Sequence, residues 1–253
     1  KQRITRKYKK NHYVWKLHVI KGIKKVLVDD DYDRVVFQNS GYILKAIHNE
    51  KLLRKYEGKI YYHLHNDIPS NADHKVLAAS KFILISDYLK KGVTYLCGEE
   101  AANRCLIVKN GINVGVFEHE LTVEKRYTIR KQLGVEPFQK MLLFVGRLKK
   151  QKGLDEVLKA LEKLDPERYI VVIVGSTNFA SKDMSDYEKS VKRRCEHLGK
   201  RVRFTGYVPN SELWEYYKAS DIAVLPSIWE EPAGLTMLEA VVCGLPLITT
   251  ISG

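Results

Sequence analysis

The sequence predicts an α/β protein built from two parallel-sheet domains, on three observations. Short runs rich in Val, Ile, Leu and Phe alternate with helical patterns, the rhythm of repeated strand–helix–strand units. The rhythm comes in two series, separated by a stretch crowded with charge. Connections within the series are mostly a few residues long, as parallel α/β units use. In the first series Val35–Phe37, Ile60–Leu64, Phe82–Ile85 and Cys105–Val108 read as strands, with Gly41–Tyr56 and Asp87–Leu96 as helices. From Gly111 to Gln139 the apolar rhythm weakens, and EHELTVEKR reads as an interdomain connection. The second series follows with strands at Met141–Val145, Tyr169–Val174, Arg201–Phe204, Ile222–Leu225 and Leu247–Thr250. Its helices are read at Leu154–Leu164, Ser185–Leu198, Ser211–Ala219 and Leu235–Val242. The expected division is an N-terminal domain over residues 1–118, a linker over 119–139 and a C-terminal domain over 140–253, with a cleft between the domains.

Composition narrows the class. With 253 residues, 45% of them hydrophobic and 10% aromatic, the chain has material for two modest cores and is no disordered tail. No run approaches the roughly 18–20 apolar residues of a membrane span, and the opening KQRITRKYKK has no apolar run behind it to form a secretory signal. A start without Met and an end at TTISG, just after a strand-like run, lead us to expect truncation at both ends. Cys97, Cys105, Cys195 and Cys243 show no CxxC or Cys/His spacing, so free thiols in a reducing cytoplasm are expected. The net charge of +13 is uneven, because residues 1–60 hold 16 Lys/Arg against 6 Asp/Glu. Such a surface attracts phosphate in nucleic acid, lipid headgroups or phosphorylated ligands, or simply keeps a protein soluble. With no helix-turn-helix or aromatic-rich recognition motif, nucleic acid is the least favoured of these partners.

In parallel α/β sheets ligands sit beyond the C-terminal strand ends, so the strand exits carry the candidate chemistry. After Leu225 comes WEEPAGLTMLEAVVCGLP, in which Glu231 precedes a helix start and Glu239 lies just inside it, seven residues between them. The amides of Gly234, Leu235 and Thr236 are then unpaired donors at a helix N-terminus, an anion site. A carboxylate in that place accepts from paired hydroxyls, although a single Glu there is equally explained by the helix dipole. After Val145 comes GRLKKQKG: Gly146 permits a tight turn, while Arg147 and Lys152 offer a bidentate and a compact cation suited to a diphosphate, or else plain solvated charge. Glycines also follow Val174 (Gly175, before Ser176 and Thr177) and Phe204 (Gly206), and backbone groups of Tyr207 and Val208 could read a base edge. In IYYHLHND, period-two alternation puts His63 and His65 on one face, with His65 at the exit. Two such histidines lack a third ligand at useful spacing, so no metal site is expected. His65 is a candidate to hydrogen-bond a substrate hydroxyl or a developing charge.

Taken together, HLHND, VKNGIN, LLFVGRLKKQKG, VRFTGYVP, ASDIAVLPS and EEPAGLTMLEAVVCGLPLITT resemble the GT-B glycosyltransferases, specifically the large retaining family four. The resemblance runs from about Val35 to the end and is strongest from Leu142 to Thr249. It implies two Rossmann-like domains and a nucleotide diphosphate sugar as donor, a UDP-sugar being favoured, with no cofactor and no metal. On that resemblance Arg147 and Lys152 hold the diphosphate and stabilise the leaving nucleotide in place of a divalent ion. Glu239 binds the ribose, Glu231 the donor sugar, the amides of Gly234 and Leu235 the phosphate, and His65 faces the sugar from the N-terminal domain. Retention of anomeric configuration is implied by the family alone. The family's opening strand with its glycine-rich loop, and its final crossing helices, are absent from this sequence.

The expected activity is therefore hexosyl transfer to a glycan or lipid-linked acceptor. Bacterial surface polysaccharide or lipopolysaccharide assembly is the expected setting, in the cytoplasm or on the inner face of the plasma membrane, where the basic N-terminal region makes peripheral contact. The rival readings are an epimerase or phosphorylase of the same fold, or a fragment that binds nucleotide sugars without catalysis.

Overall fold

The computed structural model describes residues 12–175 and 185–251. The chain divides into two compact units, Lys1–Asn110 and Gly111–Gly253.

In the first unit, helix α1 (His12–Asp29) leads into strand β1 (Val35–Gln38), a 3₁₀ turn (Gly41–Ala46), α2 (Glu50–Lys55) and β2 (Ile60–Leu64). Then come α3 (His74–Ala79), β3 (Lys81–Leu84), α4 (Asp87–Cys97), α5 (Glu99–Ala102) and β4 (Cys105–Ile107). The four strands lie in chain order and all neighbours are parallel. All four expected strands form, to within a residue or two. The expected helix over Gly41–Tyr56 breaks in two because the Asn49 side chain accepts from the Leu52 amide and starts α2 afresh. Helix α1, which carries four lysines, was not read from the sequence. Its final carbonyls are capped at long range: Lys55 Nζ donates to Leu27 O and Asp30 O, and so does Tyr56 Oη.

The second unit begins with α6 (Val123–Gln132), which lies inside the expected linker 119–139 and corrects that reading. Thr122 caps the helix, and the buried Arg130 donates to Asp221 Oδ2 at 2.9 Å and to the carbonyls of Ala219 and Gln139. Sequence rhythm could not find this, because the helix is held by a charged network rather than by an apolar face. The elements that follow are β5 (Lys140–Val145), α7 (Leu154–Glu162), β6 (Tyr169–Val174), α8 (Asp186–Leu198), β7 (Val202–Gly206), α9 (Asn210–Ala219), β8 (Ile222–Leu225), α10 (Leu235–Val242) and β9 (Leu247–Thr249). Each matches its expected counterpart to within two residues.

These five strands form one parallel sheet in the order β7-β6-β5-β8-β9. Alternate residues of the central strands feed two cores. Met141, Leu143, Val145 and Val172 face Leu213, Tyr217 and Ala240, while Leu142, Phe144, Val171 and Ile173 face Leu154, Leu158 and Val191. Burying each large aliphatic side chain is worth about 1.5–3 kcal/mol, so this two-sided packing is what holds the strand ends in place. Strand order runs outward in both directions from β5, so the switch point, where ligands sit in such sheets, lies between the exits of β5 and β8.

Candidate functional site

The exits of β5, β6 and β7 are level. The Gly146 amide donates to Val174 O, and the Gly175 amide to Gly206 O, both at 3.0 Å. Gly175 has a steric reason to be glycine, since a Cβ there would stand 2.1 Å from the Gly146 carbonyl oxygen. Ser176 and Thr177, named with this exit, lie outside the described residues.

Across the switch point the exit loops of β5 and β8 are pressed together. Gly153 has φ +73°, and a Cβ on it would lie 1.8 Å from Pro226 O, so only glycine fits on both counts. Beside it the Ile228 amide donates to Gln151 O at 2.9 Å. This clamp brings Lys152 of one loop onto Glu231 of the other, with Nζ 2.5 Å from Oε2. The lysine side chain is 21% exposed and the glutamate 9%. The same Oε2 accepts from Ser227 Oγ at 3.0 Å and from Trp229 Nε1 at 3.1 Å. Lys152, Ser227, Glu231, Thr236 and Met237 line one small pocket here. Desolvating such a pair costs free energy that hydrophobic packing would not, and a local rule broken at a sheet's switch point makes this the candidate site.

Of the sequence candidates, Lys152, Glu231 and Thr236 are thus brought together. Arg147 lies in the same loop as Lys152 and is exposed to solvent. Gly234 caps α10, and the amides of Gly234 and Thr236 have no hydrogen-bond partner among the described residues. The Leu235 amide departs from the expectation: the turn folds back tightly enough for it to donate to Ala233 O at 3.1 Å. Tyr207 is 76% exposed at the β7 exit, whereas Val208 is partly buried against the core.

Glu239 sits deeper than a surface acceptor, 6% exposed. Tyr217 Oη donates to its Oε2 at 2.9 Å, and the Asn210 side chain bonds to it as well. Burial pushes its carboxyl up, against the lowering effect of those two bonds. Tyr217 is driven upward in turn, first by burial and then by the adjacent carboxylate.

In the first unit His63 and His65 do share a face, with ring centroids 4.2 Å apart. The His65 backbone amide donates to Asn39 Oδ1 at 2.7 Å, and its ring nitrogen Nε2 lies 3.0 Å from Gln38 Nε2. Asn39 is in the left-handed region at φ 52°, where asparagine is among the few non-glycine residues tolerated. His63 is pushed down, by burial first and by His65 second. No group of three or more His, Cys, Asp or Glu side chains able to hold a metal ion occurs among the described residues.

Sequence reasoning missed Ser227, Trp229, Tyr217, Asn210, Gln38 and Asn39. Ser227 and Trp229 lie in the exit loop already singled out and were within reach. The others come from separate elements and carry no local signal.

Comparison with known proteins bears on the family and on the fold. The glycosyl transferases group 1 family model matches residues 125–253. An uncharacterised glycosyltransferase of Methanocaldococcus jannaschii is 35% identical over 174 residues, 68% of this chain and 42% of that protein. Spore coat protein SA of Bacillus subtilis is 29% identical over 70% of this chain and 48% of its own length, so the chain spans about half the length of these relatives. Among solved structures, Anabaena HepE in complex with UDP and glucose superposes with a TM-score of 0.71 at 21% identity, over 93% of this chain and 63% of that one. A likeness at that identity speaks to the fold, two parallel-sheet α/β units of the GT-B type. The chain belongs to the glycosyl transferases group 1 family.

Proposed function

We propose that the surface at the β5 and β8 exits binds the diphosphate and sugar of a nucleotide sugar, and that the protein transfers a hexosyl unit with retention. The observation that carries this reading is the convergence of Lys152 and Glu231 from two different strand exits onto one pocket. A lysine fits phosphate oxygens and a carboxylate fits sugar hydroxyls, so the pair suits a ligand that presents both groups side by side.

In this reading Arg147 and Lys152 take the diphosphate, helped by the free amides of Gly234 and Thr236 at the positive end of α10. The bond between the sugar C1 and the diphosphate oxygen breaks, its electrons go to that oxygen, and the two cations offset the charge as it develops. An acceptor hydroxyl on a glycan or lipid-linked molecule attacks C1 from the same face, and its proton passes to the departing diphosphate oxygen. Glu239 takes the ribose, and Tyr207 and Val208 face the base. UDP is the favoured nucleotide, as HepE was solved with UDP. The two cations make a divalent ion unnecessary for charge neutralisation.

A thermal-shift panel of nucleoside diphosphates and their hexose conjugates, run in EDTA, tests the proposal, because a ligand of the folded state raises the melting temperature. UDP or another nucleoside diphosphate is expected to stabilise the chain. A panel in which none does so counts against the site.

A further inference from the structure

We propose that Ser227 and Trp229 are positioning residues for Glu231, fixing one carboxylate oxygen so that the other is presented to the donor sugar. The inference rests on the reading of Glu231 as the sugar contact. All three donors that reach this carboxylate go to Oε2: Lys152 Nζ, Ser227 Oγ and Trp229 Nε1, at 2.5, 3.0 and 3.1 Å. Among the described residues none goes to Oε1. A carboxylate oxygen has two lone-pair sites, so three donors saturate it and a ligand hydroxyl is directed to its twin. Hydrogen bonds to a charged acceptor are the strong ones, and this group of four lies in a poorly hydrated place, with Ser227 only 5% exposed.

The loop that carries them does not depend on these side-chain bonds for its shape. The Ile228 amide is held by Gln151 O and the Ser227 amide by Leu225 O, while the Ser227 carbonyl accepts from Thr250 Oγ1. Gly153 closes against Pro226 on the other side. Removing the indole N–H or the hydroxyl therefore leaves the loop in place and frees the carboxylate to swing. Lys152 has a second demand on it in the bound state, since the diphosphate draws its ammonium group. At that moment Ser227 and Trp229 are the donors that keep Glu231 from following Lys152. Trp229→Phe removes only the donor and keeps an aromatic side chain, and Ser227→Thr keeps the hydroxyl.

The test is calorimetric, with UDP and UDP-glucose as probes on the full chain. The quantity read is the ratio of their dissociation constants. In Trp229→Phe and Ser227→Ala the UDP constant is expected to stay within about twofold, while the ratio shifts against UDP-glucose by about 5–10-fold, the scale of one weakened hydrogen bond. Ser227→Thr is expected to keep the original ratio. Adding Trp229→Phe to Glu231→Gln is expected to change nothing further, because the indole acts only through the carboxylate. If Glu231→Gln shifts the ratio but Trp229→Phe and Ser227→Ala do not, the positioning role is overturned and the donor site stands. A ratio that ignores Glu231→Gln as well overturns the sugar contact itself. Parallel loss of both affinities and of melting temperature in Trp229→Phe and Ser227→Ala shows a merely structural role and overturns the proposal.

Discussion

At the scale of single residues, Glu239 and Gly153 show how function and stability separate. Glu239 is buried and its carboxyl is pushed upward, so ionising it in the folded state costs more than ionising it in the unfolded chain. The sign follows: stability is fully present below the unfolded carboxyl pKa and is lost as pH rises through the higher folded value. Glu239→Gln removes that cost while keeping an acceptor for Tyr217. It is expected to raise the melting temperature at neutral pH by about 1–3 °C and to weaken UDP binding, a trade typical of functional sites. A variant that is both less stable and unchanged in UDP affinity would contradict this assignment. Gly153 is the reverse case, a structural residue with a functional consequence. Gly153→Ala meets both a left-handed φ and the Pro226 carbonyl, so it is expected to cost more than about 2 kcal/mol in denaturant unfolding and to part Lys152 from Glu231. Lys152 and Glu231, which the structure brings together, were legible in the sequence because both lie in strand-exit loops. Tyr217 and Asn210 were not, because a residue that reaches its partner from a different helix leaves no local pattern.

At the scale of elements, strand exits were easier to read than the segments around them. β-branched runs such as Tyr169–Val174 announce themselves by composition, and their ends fell where expected. Helix α6 escaped because its sequence, VEKRYTIRKQ, is mostly polar and its anchor is electrostatic. Asp221 is the centre of that anchor: its Oδ2 accepts from Arg130 and from the Met141 amide, and its Oδ1 from Arg126. Burial pushes this carboxyl up, but the Met141 amide and the two guanidinium groups together outweigh burial and hold it below the usual range. Its contribution to stability is therefore present above the unfolded carboxyl pKa of about 3.9 and lost as pH falls through the lower folded value. Asp221→Ala leaves Arg130, at 7% exposure, without its carboxylate counter-charge, and is expected to cost about 3–5 kcal/mol at neutral pH. It should also flatten the acid limb of the stability curve. Urea titrations at several pH values check both, and an unchanged acid limb would show that α6 is held by something else.

At the scale of the whole molecule, the two sheets explain why one stretch of sequence carries most of the chemistry. A parallel sheet buried on both faces leaves only its ends for ligands, and the order β7-β6-β5-β8-β9 puts the one reversal beside Lys152 and Glu231. Charge adds a second theme. Helix α1 exposes Lys21, Lys24 and Lys25 together with Leu17 and Val28, and from these we propose the peripheral contact with an anionic membrane that the basic N-terminal region led us to expect. No helix among the described residues is long and apolar enough to cross a membrane. Sedimentation with vesicles containing anionic lipid is expected to carry the chain down at low salt and to release it at high salt. Failure to sediment at low salt rejects that contact without touching the donor site. The claim on which the rest depends is that the β5 and β8 exits form a diphosphate site that needs no metal. Calorimetric titration of UDP in EDTA, into the unaltered chain and into Lys152→Ala, tests it most directly. The account predicts binding that survives EDTA and weakens by about tenfold or more in the variant, the scale of one lost charged contact. Binding that requires magnesium, or that ignores the loss of Lys152, would contradict it.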